Sequence, residues 1–161
     1  MSITIPPHLK KICENAFEYC ENLQEVNIPS DSELEIIEKN AFYLSSIKSI
    51  EIPFRLSKLE EGWCCETKFL NKVSVSSNNK KYLSIDDKYV VGKSSQENEN
   101  YDVFVFAVRN IKRIKIPDSI EIIESYAFAN CNEIEEVEIT TNSSLRIFGN
   151  ESFANSSITK I

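Results

Sequence analysis

The chain is 161 residues long, 42% hydrophobic, with a net charge of −7 and a pI near 4.9. That balance argues against a nucleic-acid binder, which needs a basic footprint, and gives no pull toward anionic lipid. No apolar run approaches the roughly 20 residues of a membrane-spanning helix, so no membrane insertion is expected.

The amino-terminal MSITIPPHLKK lacks the apolar core of a signal peptide. As given, the chain is therefore expected in the cytoplasm unless an export signal was removed or is unconventional. Ile3-x-Ile5-Pro6 reads as the tail of a strand. From Leu9 to Pro29 a pattern begins that returns along the chain. With Phe17 as the mark, Leu9 and Ile12 lie eight and five residues before it, and Leu23, Val26, Ile28 and Pro29 follow. Phe42, Cys64, Phe128 and Phe153 mark further copies, each with apolar residues eight and five before: Leu34 and Ile37, Leu56 and Leu59, Ile120 and Ile123, Leu145 and Phe148. The units run approximately over 7–29, 30–53, 54–76, 77–117, 118–140 and 141–161, in one domain. In the third, Gly62-Trp63-Cys64 replaces Asn-Ala-Phe, which predicts a distorted turn.

The unit 77–117 departs most. Tyr82–Ile85 and Tyr89–Val91 have strand composition and are joined by Asp86-Asp87-Lys88, a plausible hairpin turn. Tyr101–Phe106 alternates as a strand, and the polar run 92–101 before it predicts a flexible loop. Ile111-x-x-Ile114-x-Ile116-Pro117 restores the repeat strand. The segment is thus expected to replace the outer half of a coil with a β-meander. At the far end, Ile158–Ile161 begins a strand and stops. Neither end carries a polar cap, so the chain reads as a fragment of a longer array or as a short protein whose open ends pair as a homodimer.

Within a unit, alternation such as Val26-Asn27-Ile28 sends apolar side chains inward and polar ones outward, and proline ends the strand. Leu9–Ile12 and its equivalents give a second short extended stretch. Ala16, Ala41 and Ala127 sit where the chain turns, and the Phe plugs the interior. Three residues beyond it, Cys20, Ser45, Thr67, Cys131 and Ser156 form a column of small side chains, expected to satisfy backbone groups at the bend. One unit closes no core, whereas stacked units do, with their strands paired in parallel. The fold class is a repeat solenoid: a horseshoe-like right-handed coil with short parallel strands on one face and turns or short helices on the other, and an inserted β-hairpin or meander in the middle.

The pattern I-x-x-x-A-F-x-x-C-x-x-L-x-x-V-x-I-P closely resembles the BspA-like leucine-rich repeats, over almost the whole chain. That family is found on bacterial surfaces and, much expanded, in parasitic protists. The resemblance implies a non-catalytic protein-binding module used in surface adhesion to a host or matrix protein, with hairpin-bearing units among its variants. An intracellular leucine-rich-repeat scaffold is the alternative, favoured by the absent signal and the odd cysteine count.

Candidates for chemistry are few. His8 is the single histidine, and a Cys–His or Ser–His pair would need it. Glycines 62, 92 and 149 are too scattered for a phosphate-binding loop. Cys13, Cys20, Cys64, Cys65 and Cys131 follow no zinc spacing and read as reduced, mostly buried thiols, with Cys64-Cys65 open to vicinal pairing. No metal, cofactor or catalytic residue is expected. Sequons at Asn142, Asn150 and Asn155 matter only on a secretory route. The candidate site is instead a surface. Glu25, Asn27, Ser49, Glu51, Lys72, Ser74, Arg113, Lys115, Glu136 and Glu138 are the outward residues of the repeat strands, expected on one exposed sheet face. Basic Lys112-Arg113-Lys115 faces acidic Glu135-Glu136-Glu138 one unit later. This zoning either pairs across strands or orients a protein partner.

Overall fold

The computed structural model describes residues 1–161. Fourteen short strands follow one another: β1 (Ser2–Thr4), β2 (Lys11–Ile12), β3 (Glu25–Asn27), β4 (Ile36–Ile37), β5 (Ser49–Ile52), β6 (Lys58–Leu59), β7 (Lys72–Val75), β8 (Tyr82–Ile85), β9 (Tyr89–Gly92), β10 (Val103–Ala107), β11 (Arg113–Lys115), β12 (Ile122–Ile123), β13 (Glu136–Glu138) and β14 (Ile147–Phe148). They form a parallel β-solenoid of leucine-rich-repeat type. One column of strands comprises β1-β3-β5-β7 and, separately, β11-β13, while β2-β4-β6 and β14-β12-β10-β9-β8 form the second. Only β8-β9 and β9-β10 pair antiparallel.

Of the turns or short helices expected on the other face, the structure has turns, and the bends show why. In each regular unit the residues two before and two after the register mark have positive φ: Asn15 and Tyr19, Asn40 and Leu44, Gly62 and Glu66, Tyr126 and Asn130, Glu151 and Asn155. Two left-handed residues in five interrupt any helical run. Asn tolerates this region best among non-glycine residues, which accounts for its frequency at the bend. Gly62, at φ 69°, does the same in the third unit, and Phe42 N–H still donates to Trp63 O at 2.9 Å. That turn is regular, not distorted as its sequence predicts. Amides of one bend donate to carbonyls of the next, as from Phe17 to Ala41 and from Phe128 to Ser152.

The interior is a row of rings. Phe17 stacks on Phe42 at 5.2 Å, Phe42 meets Trp63 edge-on at 6.2 Å, and Trp63 meets Phe106 at 5.7 Å. A second run joins Tyr89, Phe104, Phe128 and Phe153 at 5.3, 4.6 and 4.9 Å. Cys64 holds the backbone register of Phe42, but the ring that fills its place belongs to Trp63. The column of small residues serves mainly space. Each backbone amide closes on its own turn, and Thr67 and Cys131 also direct their side chains to carbonyls. The hydroxyls of Ser45 and Ser156 have no partner, so the expected hydrogen-bonded ladder is incomplete.

The meander replaces more than predicted. Phe104 pairs with Ile123, so β10 takes the place of a second-column strand. From Phe104 to Ile111 the chain is four residues shorter than from Ile123 to Ile134, and the bend is lost. Gly62 of the third unit therefore lies directly beside Tyr126. Buried Arg109 bridges the gap: its guanidinium donates to Ala129 O and, at 3.2 Å, to Cys64 O, and stands 4.6 Å from the Phe106 ring. In regular bends the amide two beyond the mark serves the carbonyl equivalent to that of Ala129. Asp102 contacts the loop at 92–101, accepting from Ser94 N–H and from Asn98 Nδ2, each at 2.8 Å.

Gly62→Ala should lower stability by about 1 kcal/mol through strain at positive φ, and Gly62→Asn by less, in thermal or urea unfolding. Arg109→Met should cost more than a surface change, about 1–3 kcal/mol for the Ala129 carbonyl left unpaired, since Cys64 O keeps its bonds from Thr67.

Candidate protein-binding face

Alternation within the repeat strands builds the surface, and the register aligns it. Ser2, Glu25, Ser49 and Lys72 form one outward row, and Thr4, Asn27, Glu51 and Ser74 the next. Between them Val26, Ile50 and Val73 point into the core. A shallow groove of about 370 Å³ runs over this half, lined by Thr4, Asn27, Ser49, Glu51, Lys72 and Ser74. Arg113 pairs with Glu136 and Lys115 with Glu138 in the other half, and Lys160 bridges to Glu136.

The ten residues thus all lie on the parallel-strand side, but not on one continuous sheet. β7 and β11 belong to separate sheets. The tip of the β8-β9 hairpin stands at the break: Val73 N–H donates to Asp87 O at 3.3 Å, and Lys72 meets the Asp87 carboxylate at 3.3 Å. Asp86 and Asp87 both have positive φ, as a type I′ hairpin turn requires. Their turn is legible in the sequence. Their position against β7 is not, because it depends on contacts between distant segments. Asp86, Asp87 and Lys88 therefore join the face only in the folded chain.

The zoned charges meet across the strands. Arg113 is 3.3 Å from Glu135, Lys115 3.3 Å from Glu138, and Lys112 3.8 Å from Glu133. Lys160 hydrogen-bonds Glu136, raising the lysine and holding the carboxyl below its usual range. All these pairs are solvent-exposed and hence weak and salt-sensitive. They neutralise one another in the free chain and are free to exchange partners.

Other reactive groups lie apart from the face. His8 is exposed and 3.3 Å from Glu33, with no nucleophile beside it. The five cysteines are free. Burial pushes the Cys64 thiol up to about 12, and Arg109 opposes that only in part. Cys131 is raised for the same reason. No group of three or more His, Cys, Asp or Glu side chains converges as a metal site would require. The sequon residues Asn142, Asn150 and Asn155 are exposed.

Glu124 stands out among the carboxylates. Glu38 and Glu60, at the equivalent position, each accept an amide of the preceding bend, Glu14 and Lys39. Lys11 and Lys58 respectively, followed by these amides, hold both carboxyls below the usual range. The unit before Glu124 has lost its bend, so no amide is offered. Burial pushes Glu124 up to about 7, Lys81 opposes this and Glu61 reinforces it.

Repeated parallel strands, a one-ring-per-turn interior and an exposed polar sheet define a leucine-rich-repeat solenoid. The chain belongs to the BspA type leucine rich repeat region family, whose model matches residues 1–87 and 99–161 in six copies. A leucine rich cell surface protein from Faecalibacterium prausnitzii has a similar fold, at TM-score 0.85 and 24% identity over 99% of this chain and 40% of that one. A leucine-rich repeat protein from Eubacterium ventriosum superposes at TM-score 0.75, with 19% identity over 95% of this chain and 44% of that one. The pneumococcal vaccine antigen PcpA does so at 0.68, with 21% identity over 92% and 46%. The chain thus spans less than half the length of each. No curated protein matches it significantly in sequence. Repeats of this class serve as protein-interaction modules, and no helix here is long and apolar enough to cross a membrane.

Two measurements check the titratable groups. A thiol reagent such as Ellman's should modify exposed Cys13 quickly in the native protein, and Cys64 and Cys131 only on unfolding. The folded pKa of Glu124 lies above its unfolded value of about 4.3, so the native state holds the proton more tightly. Stability should therefore be fullest below that value and fall as pH rises through 7. Glu124→Gln should flatten this decline and raise Tm at pH 8.

Proposed function

We propose that this chain is a non-catalytic module that binds a protein ligand through its parallel-strand side, acting in adhesion at a cell surface. The observation that carries the reading is the pair of outward polar rows over strands held rigid by stacked neighbours, with the groove of about 370 Å³ between Thr4 and Ser74. A rigid, preorganised sheet loses little conformational entropy on docking. Glu25, Asn27, Ser49, Glu51, Lys72 and Ser74 are assigned to one half of the contact, and Arg113, Lys115, Glu136 and Glu138 to the other. The likeness to a described cell surface protein supports the location. A host-surface or matrix protein is the ligand class in this reading, and nucleic acid is not.

Five free thiols favour a second reading, an intracellular scaffold with the same binding side. Localisation of the native protein separates the two. Ile147 and Phe148, exposed on β14, also favour pairing of two copies through that strand. Light scattering over a concentration series should then show a dimer that Phe148→Asp dissociates.

Surface plasmon resonance against a panel of matrix proteins tests the main reading. Asn27→Arg combined with Glu51→Arg should weaken any saturable binding about tenfold or more by like-charge and steric mismatch. Lys68→Glu, outside the face, should leave it unchanged. Binding indifferent to the face pair would reject the assignment.

A further inference from the structure

We propose that the free edge of β11, in the groove that divides the parallel-strand side, takes an extended acidic segment of a partner protein as an added strand. The proposal rests on the reading of this side as the binding side, and names the ligand class and the place.

The backbone supplies the first argument. β11 pairs only with β13. Lys112 O accepts from Glu135 N–H at 2.8 Å and Ile116 N–H donates to Glu138 O at 2.9 Å, so the even-numbered residues face β13. Alternation turns the N–H and C=O of Arg113 and Lys115 to the opposite edge, where no backbone or side chain bonds them. This edge is internal to the array, created by the inserted meander.

Space supplies the second. No Cα of β7, β8 or β9 comes within 8 Å of one in β11, and the turn Asp86–Lys88 stands between β7 and the start of β11. Paired strands lie ~4.8 Å apart, so β13 is the one strand at pairing distance from β11. A groove of about 460 Å³ lies there, with Lys72, Lys88, Lys112 and Arg113 against Asp86 and Asp87 on its walls.

Charge chooses the occupant. The walls of the slot carry four cations and two carboxylates in a chain of net charge −7. Lys72 is engaged by Asp87, Lys112 by Glu133 and Arg113 by Glu135, all in exposed pairs that a partner's carboxylates can replace, whereas Lys88 has no ion pair. Basic side chains on an open edge deter ordinary strand pairing. A strand bearing carboxylates reverses that effect. Its backbone bonds Arg113 and Lys115, and its alternate side chains reach the lysines.

The probe is a capped heptapeptide of alternating Glu and Val, with a Lys-Val counterpart, followed by amide NMR on the whole chain. The Glu-Val peptide should bind saturably and slow hydrogen exchange at the Arg113 and Lys115 amides by about tenfold or more, as new backbone bonds require. Lys88→Glu with Lys112→Glu touches no backbone bond of β11 and should abolish that protection with the fold intact. Unchanged exchange at Arg113 and Lys115 at millimolar peptide would overturn the proposal, as would equal binding of the Lys-Val peptide. Shifts confined to Asn27 and Glu51 would overturn the edge site and leave the face reading standing. Protection at the edge with Asn27 and Glu51 variants inert toward matrix protein would do the reverse.

Discussion

Each regular bend of this solenoid needs two left-handed residues, two positions on either side of the register mark, and the rest of the structure depends on that requirement. The pair turns the chain without a helix, aims one ring inward, and aligns amides with the carbonyls of the next unit. For Tyr19, Leu44, Glu66, Tyr126 and Glu151 the conformation costs about 1–2 kcal/mol each. Stacking offsets that cost, since Phe42 and Phe128 are wholly buried between neighbouring units and the bend ladder is shared between them. Strain and packing therefore belong to pairs of units and not to single ones, as expected of a quasi-one-dimensional array.

Dropping one bend has effects on both sides of the coil. On the bend side it removes amides that neighbours use. Arg109 supplies donors to the stranded carbonyl of Ala129, and Glu124 is left without the amide that its equivalents Glu38 and Glu60 accept. A buried cation and an up-shifted carboxyl share one origin, the missing turn. On the strand side the hairpin tip enters between β7 and β11 and breaks the sheet. A local economy of chain length thus creates an internal edge that a regular array would lack.

The parallel-strand side consequently has two characters. Over β1, β3, β5 and β7 it is a flat, mixed-polarity surface whose register is set by four parallel strands. Over β11 and β13 it is a set of exposed ion pairs that cancel locally. Such pairs contribute little to stability and can be exchanged for a partner's charges. Between the two halves lies the slot. What distinguishes one place on this side from another comes from the interruption as much as from the repeat, because each unit presents its outward residues in the same two rows.

The sequence by itself determined the repeat, its register, the inward set of apolar side chains and the identity of the outward residues, because these follow from spacing and from the two-residue period of a strand. Even the hairpin and its Asp-Asp turn were legible, since a type I′ turn is a local conformation. Tertiary structure alone decided what depends on neighbours. Trp63 and not the residue at the register mark fills the third unit, because ring volume is shared along the stack. The bends hold no helix, because the ladder to the next unit demands positive φ at two positions. The expected single face became two, because the tip of a hairpin that the sequence leaves unplaced finds its hydrogen-bond partner on β7.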